Sequence, residues 1–178
     1  MIIMKKIKII GVFIIMSLSV LSHFMYEWSN NFIFSILFPV NESIWEHMKL
    51  LVTPVLIYAL AEYFIYKKKS IKYNNFSLSY GISIIIGIIS YLTIYLPIDH
   101  FFGHNMIVSI TLLFLCYILI SYISYLILNA KAIKYSKTIG ALLIILTYFI
   151  FYYLTYYPVH SYMFYDTKNK IYGIKKED

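Results

Sequence analysis

Residues 105–128 read NMIVSITLLFLCYILISYISYLIL, an apolar run that contains no Asp, Glu, Lys or Arg. A helix that rises 1.5 Å per residue needs about 20 residues to cross the hydrocarbon core of a bilayer. The run is apolar around its whole circumference, which is typical of a membrane span and not of an amphipathic surface helix. It therefore predicts a transmembrane helix.

The composition extends this prediction to the whole chain. Of its 178 residues, 61% are hydrophobic and 13% are charged, whereas a typical soluble domain has about 25% charged residues. So little polar surface excludes a soluble globule, and the high hydrophobicity excludes intrinsic disorder. We predict an all-α integral membrane bundle that forms one domain over residues 1–178.

Four other apolar runs are long enough to span a membrane. The five predicted spans cover residues 7–25, 44–66, 76–98, 105–128 and 138–157, and a tail follows over residues 158–178. The first run has the basic start and apolar middle of a secretory signal peptide, but its length favours an uncleaved anchor.

The charged residues predict an orientation. All 15 basic residues are lysines, the net charge is +7, and ten of the lysines would lie on one side of the membrane. By the positive-inside rule, the N-terminus is cytoplasmic and the tail is outside the cell membrane. Because arginine is absent and the lysines are dispersed, we expect an anionic lipid bilayer as partner and no nucleic acid; the sequence identifies no protein partner. The single cysteine, Cys116, excludes a disulfide framework and a cysteine-based metal site.

The densest polar stretch is PVNESIWEHMK over residues 39–49, at the outer end of the second span. Ser43 and Glu46 form a capping box, which predicts a helix start at this point. Glu42, Glu46 and His47 fall on one arc of that helix, and an ionisable arc should face the bundle interior or a water-filled cavity. A capped helix start is the simpler interpretation, but it leaves Glu42 and His47 unexplained.

A second polar stretch joins the third and fourth spans. Pro97 is predicted to end or bend the third helix and Asp99 to cap the fourth. His100 and His104 would then lie four residues apart on one helix face, the spacing of a histidine pair that binds zinc. The alternative is two neutral histidines in a short interfacial turn.

The tail adds a third histidine-bearing element. His160 directly follows the fifth span, and residues 163–166 and 170–173 predict either a small hairpin over the mouth of the bundle or an unstructured tail. His23, at the end of the first span, is a weaker candidate for the same cavity. Glu62, near the opposite end, is predicted to form an ion pair with one of the lysines at 67–69.

These elements together predict an open zinc site at the outer face. The candidate metal ligands are His47, His100, His104 and His160. Three imidazoles and a water molecule would lower the pKa of that water to about 7. The candidate acid–base or orienting groups are Glu42, Glu46 and Asp99.

The 38–50 segment, together with Asp99, His100 and the closing Tyr165–Gly173 segment, resembles a family of small, uncharacterised multi-pass membrane proteins of bacteria. A local resemblance to alkaline ceramidases and the progestin and adipoQ receptors is carried by Asn41-Glu42, Ile44-Trp45-x-His47, Asp99 and His100-x3-His104. This second resemblance implies a metal-dependent membrane hydrolase.

Three functions compete at this stage. The first is a zinc-dependent hydrolase that acts on an ester or amide at the outer face. The second is a non-enzymatic membrane subunit, sensor or accessory protein whose histidines titrate near neutral pH. The third is a small transporter, which is disfavoured because the middle of the bilayer would hold almost no ionisable group.

Overall fold

The computed structural model describes residues 2–174 and contains five helical segments that are long and apolar enough to cross a membrane. These segments are α1 (Ile2–Trp28), a composite of α3 (Ile44–His47), a 3-10 helix (Met48–Leu51) and α4 (Thr53–Lys68), then α5 (Phe76–Phe102), α6 (Met106–Asn129) and α7 (Ser136–Tyr156). A short helix that was not predicted, α2 (Phe32–Leu37), lies between the first two. The all-α fold with five apolar helices is confirmed.

The second segment is composite because Pro54, at the start of α4, lacks the N–H that would continue the helix. The Leu50 carbonyl, four residues earlier, instead accepts a hydrogen bond of 2.9 Å from the Tyr117 hydroxyl of α6. A buried tyrosine therefore compensates for the missing backbone donor.

The third and fourth helices differ from their predicted bounds. Pro97 lies inside α5, which continues to Phe102, and α6 begins only at Met106, with Asn105 as its N-cap. The predictions that Pro97 could end the third helix and that Asp99 caps the fourth are therefore wrong. A membrane helix tolerates an internal proline when its surroundings compensate for the lost hydrogen bond.

The bundle is organised around α5, which packs between α6 and α7, while α1 packs against α4 and α6. The seam between α5 and α7 is very close: a Cβ atom on Gly140 would lie 2.2 Å from backbone atoms of Ser77 and Leu78. A glycine at this position lets two membrane helices approach to backbone contact.

A buried ion pair lies near the end of the bundle that carries Lys5, Lys67 and Lys131, which we call the lysine-rich end. Lys8 Nζ donates to Glu62 Oε2 at 3.0 Å and to Ser124 Oγ at 2.7 Å. The hydroxyls of Tyr66 and Tyr80 also donate to the Glu62 carboxylate. The predicted partner of Glu62 among residues 67–69 is therefore wrong, because a buried carboxylate pairs with the cation that shares its interior site.

The opposite end, which carries all five histidines, is called the histidine-bearing end. Here strands β1 (Tyr165–Asp166) and β2 (Ile171–Tyr172) form an antiparallel hairpin. Of the two alternatives for the tail, the structure has the hairpin, with shorter strands than expected. The hairpin docks against the segment before α3, because the Asn41 side chain donates to the Gly173 carbonyl at 2.8 Å.

Candidate metal centre

Three side chains converge at the histidine-bearing end of the bundle. His23 comes from the last two turns of α1, Glu42 from the segment before α3, and His47 is the last residue of α3. The chain turns sharply between Glu42 and His47: Ser43 Oγ accepts the Glu46 N–H at 3.3 Å, and Asn41 Oδ1 accepts the Ser43 N–H at 2.8 Å. The predicted capping box therefore brings Glu42 beside His47.

The three ligand atoms form a nearly equilateral triangle. The Nε2 atoms of His23 and His47 lie 3.1 Å apart, and Glu42 Oε2 lies 3.6 Å from the first and 3.5 Å from the second. A tetrahedral zinc ion with bonds of about 2.0–2.1 Å separates its ligand atoms by about 3.3 Å. The triangle therefore matches one face of a coordination tetrahedron.

The His47 ring is held in the tautomer that binds a metal. Its Nδ1 lies 2.8 Å from the Ser43 carbonyl oxygen, which can only accept, so Nδ1 carries the proton. Nε2 faces Glu42 Oε2, to which it donates when protonated, and a bound metal ion would replace that proton. A metal-binding histidine usually makes this kind of hydrogen bond with its second nitrogen.

His23 completes the group, but fewer hydrogen bonds hold its ring than hold the His47 ring. Its Nδ1 is buried and has no hydrogen-bond partner among the described residues. The side chains of His23, Glu42 and His47 are 29%, 31% and 23% exposed, so solvent reaches the group from one side. A metal held by these three ligands would keep a coordination position open to water.

The Glu42 carboxylate is strongly acidic. Hydrogen bonds from His23 and then His47 hold its pKa well below the usual range, against the opposing effect of burial. Lys168 Nζ, from the hairpin, lies 3.5 Å from the other carboxylate oxygen. The anionic form that a metal ligand requires is therefore the stable form.

Asp166 fixes the backbone of Glu42. It is fully buried, and its Oδ2 accepts the Glu42 N–H at 3.1 Å. Its Oδ1 accepts the backbone N–H groups of Lys168 and Asn169 at 2.8 and 3.0 Å. Although burial opposes ionisation, the N–H donors led by Asn169 hold the pKa of Asp166 below its ordinary value.

Glu46 faces a different, closed network. One of its oxygens accepts from Lys49 Nζ at 2.6 Å and from the Val40 N–H at 3.0 Å, and the other accepts from the Thr155 hydroxyl at 2.7 Å. Both Glu46 and Lys49 are at most 1% exposed. This network joins the start of the second span to α7, and it engages the Glu46 carboxylate on both oxygens.

Asp99 and His104 form a separate pair. Asp99 Oδ2 accepts a hydrogen bond from the Tyr162 hydroxyl, whereas Oδ1 is buried and accepts none from the described residues. His104 Nδ1 lies 3.5 Å from Asp99 Oδ1 and 2.8 Å from the Tyr95 hydroxyl. Burial and the neighbouring Asp99 carboxylate raise the pKa of Tyr162 to about 12.

The remaining predicted ligands lie apart from this group. His100 belongs to α5 and His104 follows Gly103, so the two do not share a helix face. His100 contacts the Tyr162 ring, and His160 stacks on Tyr172 with ring centroids 4.5 Å apart. In residues 2–174, the one group of three or more potential ligands contains His47 but none of the other three predicted ligands.

His23, a weaker candidate from the sequence, belongs to the group that could hold a metal ion. The positions of the histidines in the predicted spans could have indicated this. His23 lies at the end of the first span and His47 at the start of the second, so both lie at the same level of the membrane. Two consecutive antiparallel helices bring these positions together when they pack directly. The contact between α1 and α4 confirms that they do.

Comparison with known proteins identifies the family. Residues 1–174 match the family of unknown function DUF6512. The chain belongs to this family. No curated protein and no solved structure matches it. The family covers the bundle, the ligand group and the hairpin together, and it carries no activity that could be transferred to these residues.

Proposed function

We propose that this chain is a membrane metalloprotein that binds a divalent transition-metal ion through His23, Glu42 and His47 and uses it to hydrolyse an ester or amide at the membrane surface. The observation that carries the proposal is the ligand triangle with edges of 3.1, 3.5 and 3.6 Å. Zinc is the first candidate, because two histidines, one glutamate and an open position are a known catalytic zinc arrangement.

The chemistry follows from the open position. A bound ion would polarise a carbonyl oxygen and lower the pKa of a coordinated water molecule to near neutrality. In this chain Glu42 would neutralise part of the charge of the ion, and the Ser43 carbonyl would orient His47. The Lys168 ammonium beside Glu42 provides a cation for an anionic headgroup at the rim of the site.

The orientation is also part of the proposal. Ten of the lysines lie at or beside the lysine-rich end, and the positive-inside rule assigns that end to the cytoplasm. The metal group would then face the outside of the cell membrane, where its substrate would be a lipid or a surface peptide.

The roles of the other predicted residues change accordingly. Glu42 serves as a ligand instead of a general base. Glu46 is engaged by Lys49 and Thr155, which favours a positioning role. Asp99 pairs with His104 outside the ligand group, so it has no acid–base role in this proposal. His100, His104 and His160 are not required as ligands in this proposal.

Metal content tests the binding step. Detergent-purified protein is stripped with a chelator and reloaded with zinc. Elemental mass spectrometry should then find about one zinc ion per protein chain. His23→Ala and His47→Ala should each weaken zinc binding by more than about tenfold, because losing a group that only orients a ligand already costs about 10–100-fold in metal affinity. His100→Ala and His160→Ala are matched histidine controls and should retain the zinc.

Two results would contradict the binding step. One is zinc below a few tenths of an equivalent in folded wild-type protein. The other is equal loss of zinc in the His47→Ala and His160→Ala variants, because only His47 belongs to the ligand group.

A second candidate function is non-enzymatic. It is favoured by one observation: no predicted general base other than the ligand Glu42 is a member of the ligand group. The metal would then stabilise the bundle, or the protein would sense the metal and signal its presence to a partner subunit. Hydrolysis of a panel of lipid esters and amides, abolished by chelation and restored by zinc, separates the enzyme from the non-enzymatic alternative.

A further inference from the structure

A groove runs along the outside of the bundle at the lysine-rich end, between α1 and α6. Its volume is about 480 Å³, within the range of about 300–1,000 Å³ for ligand sites. Lys5, Lys8 and Ile9 line it from α1, and Ile118, Tyr125 and Leu126 line it from α6. It lies at the opposite end of the bundle from the ligand triangle.

The long wall of the groove is apolar and faces outward. Ile9, Ile118 and Leu126 are 62%, 44% and 48% exposed. In a membrane these side chains meet acyl chains and not water, so the groove opens sideways into the bilayer. Because an acyl chain is as apolar as these side chains, it is a ligand that such a wall accommodates.

The end of the groove is basic. Lys8 closes the groove, but its charge is neutralised by Glu62 at 3.0 Å. Lys5, by contrast, forms no ion pair with a carboxylate in the described part of the chain, and its Nζ lies 5.8 Å from the centre of the Tyr125 ring. The groove therefore combines an apolar wall with an exposed ammonium group that has no anionic partner there.

We propose that this groove binds one acidic phospholipid, with its phosphate beside Lys5 and one acyl chain along Ile9 and Leu126. Charge complementarity favours an anionic headgroup over a zwitterionic one, because a phosphate supplies the anion that Lys5 lacks. Basic pockets between membrane helices on the cytoplasmic side are known sites for anionic headgroups. This site does not depend on the proposed metal centre.

The lysine arrangement supports a specific site over a general basic surface. Lys6 is exposed at the same depth but does not line the groove. If the protein only attracted anionic lipid by its net charge, Lys5 and Lys6 would contribute equally. A phosphate seated in the groove instead depends on Lys5.

Native mass spectrometry with two phospholipids tests the proposal. Purified full-length protein in detergent is titrated with phosphatidylglycerol and, separately, with phosphatidylcholine of the same acyl chains. Wild-type protein should bind one phosphatidylglycerol at least fivefold more tightly than phosphatidylcholine. Lys5→Gln should weaken phosphatidylglycerol binding about fivefold, the factor that one lysine contributes near an anionic surface, whereas Lys6→Gln should leave it unchanged.

A steric pair of variants provides an independent measurement. Ile9→Trp fills the groove and should abolish the one-lipid complex. Ile10→Trp, on the neighbouring lipid-facing position that does not line the groove, is the matched control and should preserve it. Both positions are exposed, at 62% and 57%, so neither change disturbs the core.

Three outcomes would overturn the proposal. The first is equal affinity for the two phospholipids. The second is equal weakening by Lys5→Gln and Lys6→Gln, which would show attraction by overall charge alone. The third is a one-lipid complex that survives Ile9→Trp in a protein whose thermal unfolding matches that of the Ile10→Trp control.

Discussion

The buried pair of Lys8 and Glu62 allows a quantitative prediction. The side chain of Lys8 is 7% exposed and that of Glu62 is 0% exposed, and their charged atoms lie 3.0 Å apart. Glu62→Gln keeps the shape of the side chain but removes its charge. The new amide nitrogen is a donor, and its neighbours Lys8 and Tyr80 are donors toward the same position.

The expected cost follows from these contacts. Removing one partner of a buried ion pair costs about 3–5 kcal/mol, because the other charge stays buried without compensation. Glu62→Gln retains one oxygen, which can still accept a hydrogen bond from one tyrosine hydroxyl. We therefore expect a loss of about 3 kcal/mol in the free energy of unfolding, the lower end of this range. Adding Lys8→Met removes the uncompensated cation. The double variant should therefore lose about 2 kcal/mol less free energy of unfolding than the two single variants lose in sum.

Steric trapping in bicelles measures the free energy of unfolding for this double-mutant cycle. Lys6→Met is the control, since Lys6 is exposed and its loss should change the free energy by less than about 0.5 kcal/mol. A cost below about 1 kcal/mol for Glu62→Gln would refute the reasoning, as would additive effects of the two substitutions. Either result would mean that the two groups are not a charged pair in the folded protein.

Three further predictions concern packing, the hairpin and the helix cap. Gly140→Ala should destabilise the bundle by about 1–3 kcal/mol, because the new methyl group meets backbone; Gly87→Ala meets side-chain atoms of Ile120 and no backbone, so it should cost less in the same unfolding assay. Asp166→Ala removes the acceptor of three backbone N–H groups and should speed protease cleavage of the tail several-fold without loss of helical circular dichroism. Ser43→Ala removes the cap of α3 and should lower the free energy of unfolding by about 1 kcal/mol.

The spans were predictable because bilayer thickness fixes the length of an apolar run. The 105–128 run matches α6 to within one residue at each end. The different effects of the two prolines were not predictable: the second segment is interrupted at Pro54, whereas α5 continues through Pro97. The effect of a proline depends on neighbours such as Tyr117 that replace the lost donor.

The site was predictable in part. The capping box of Ser43 and Glu46 predicted the helix start that follows Glu42 and carries His47, since capping is local in sequence. The choice of His23 over His100 or His160 depends on which helices touch, and apolar runs of similar composition do not encode that choice clearly. The partner of Glu62 was unpredictable for the same reason: Lys8 lies 54 residues away along the chain, whereas the lysines at 67–69 are nearer in sequence.

The hairpin has a consequence for how this protein is made. Glu42 emerges early from the ribosome, yet its backbone partner Asp166 follows 124 residues later, after all the apolar helices. The ligand triangle therefore receives its last support only after all five apolar helices have been synthesised. A chain truncated before the hairpin would present a loosely held Glu42, so metal occupancy of the proposed site would report that the hairpin had been made.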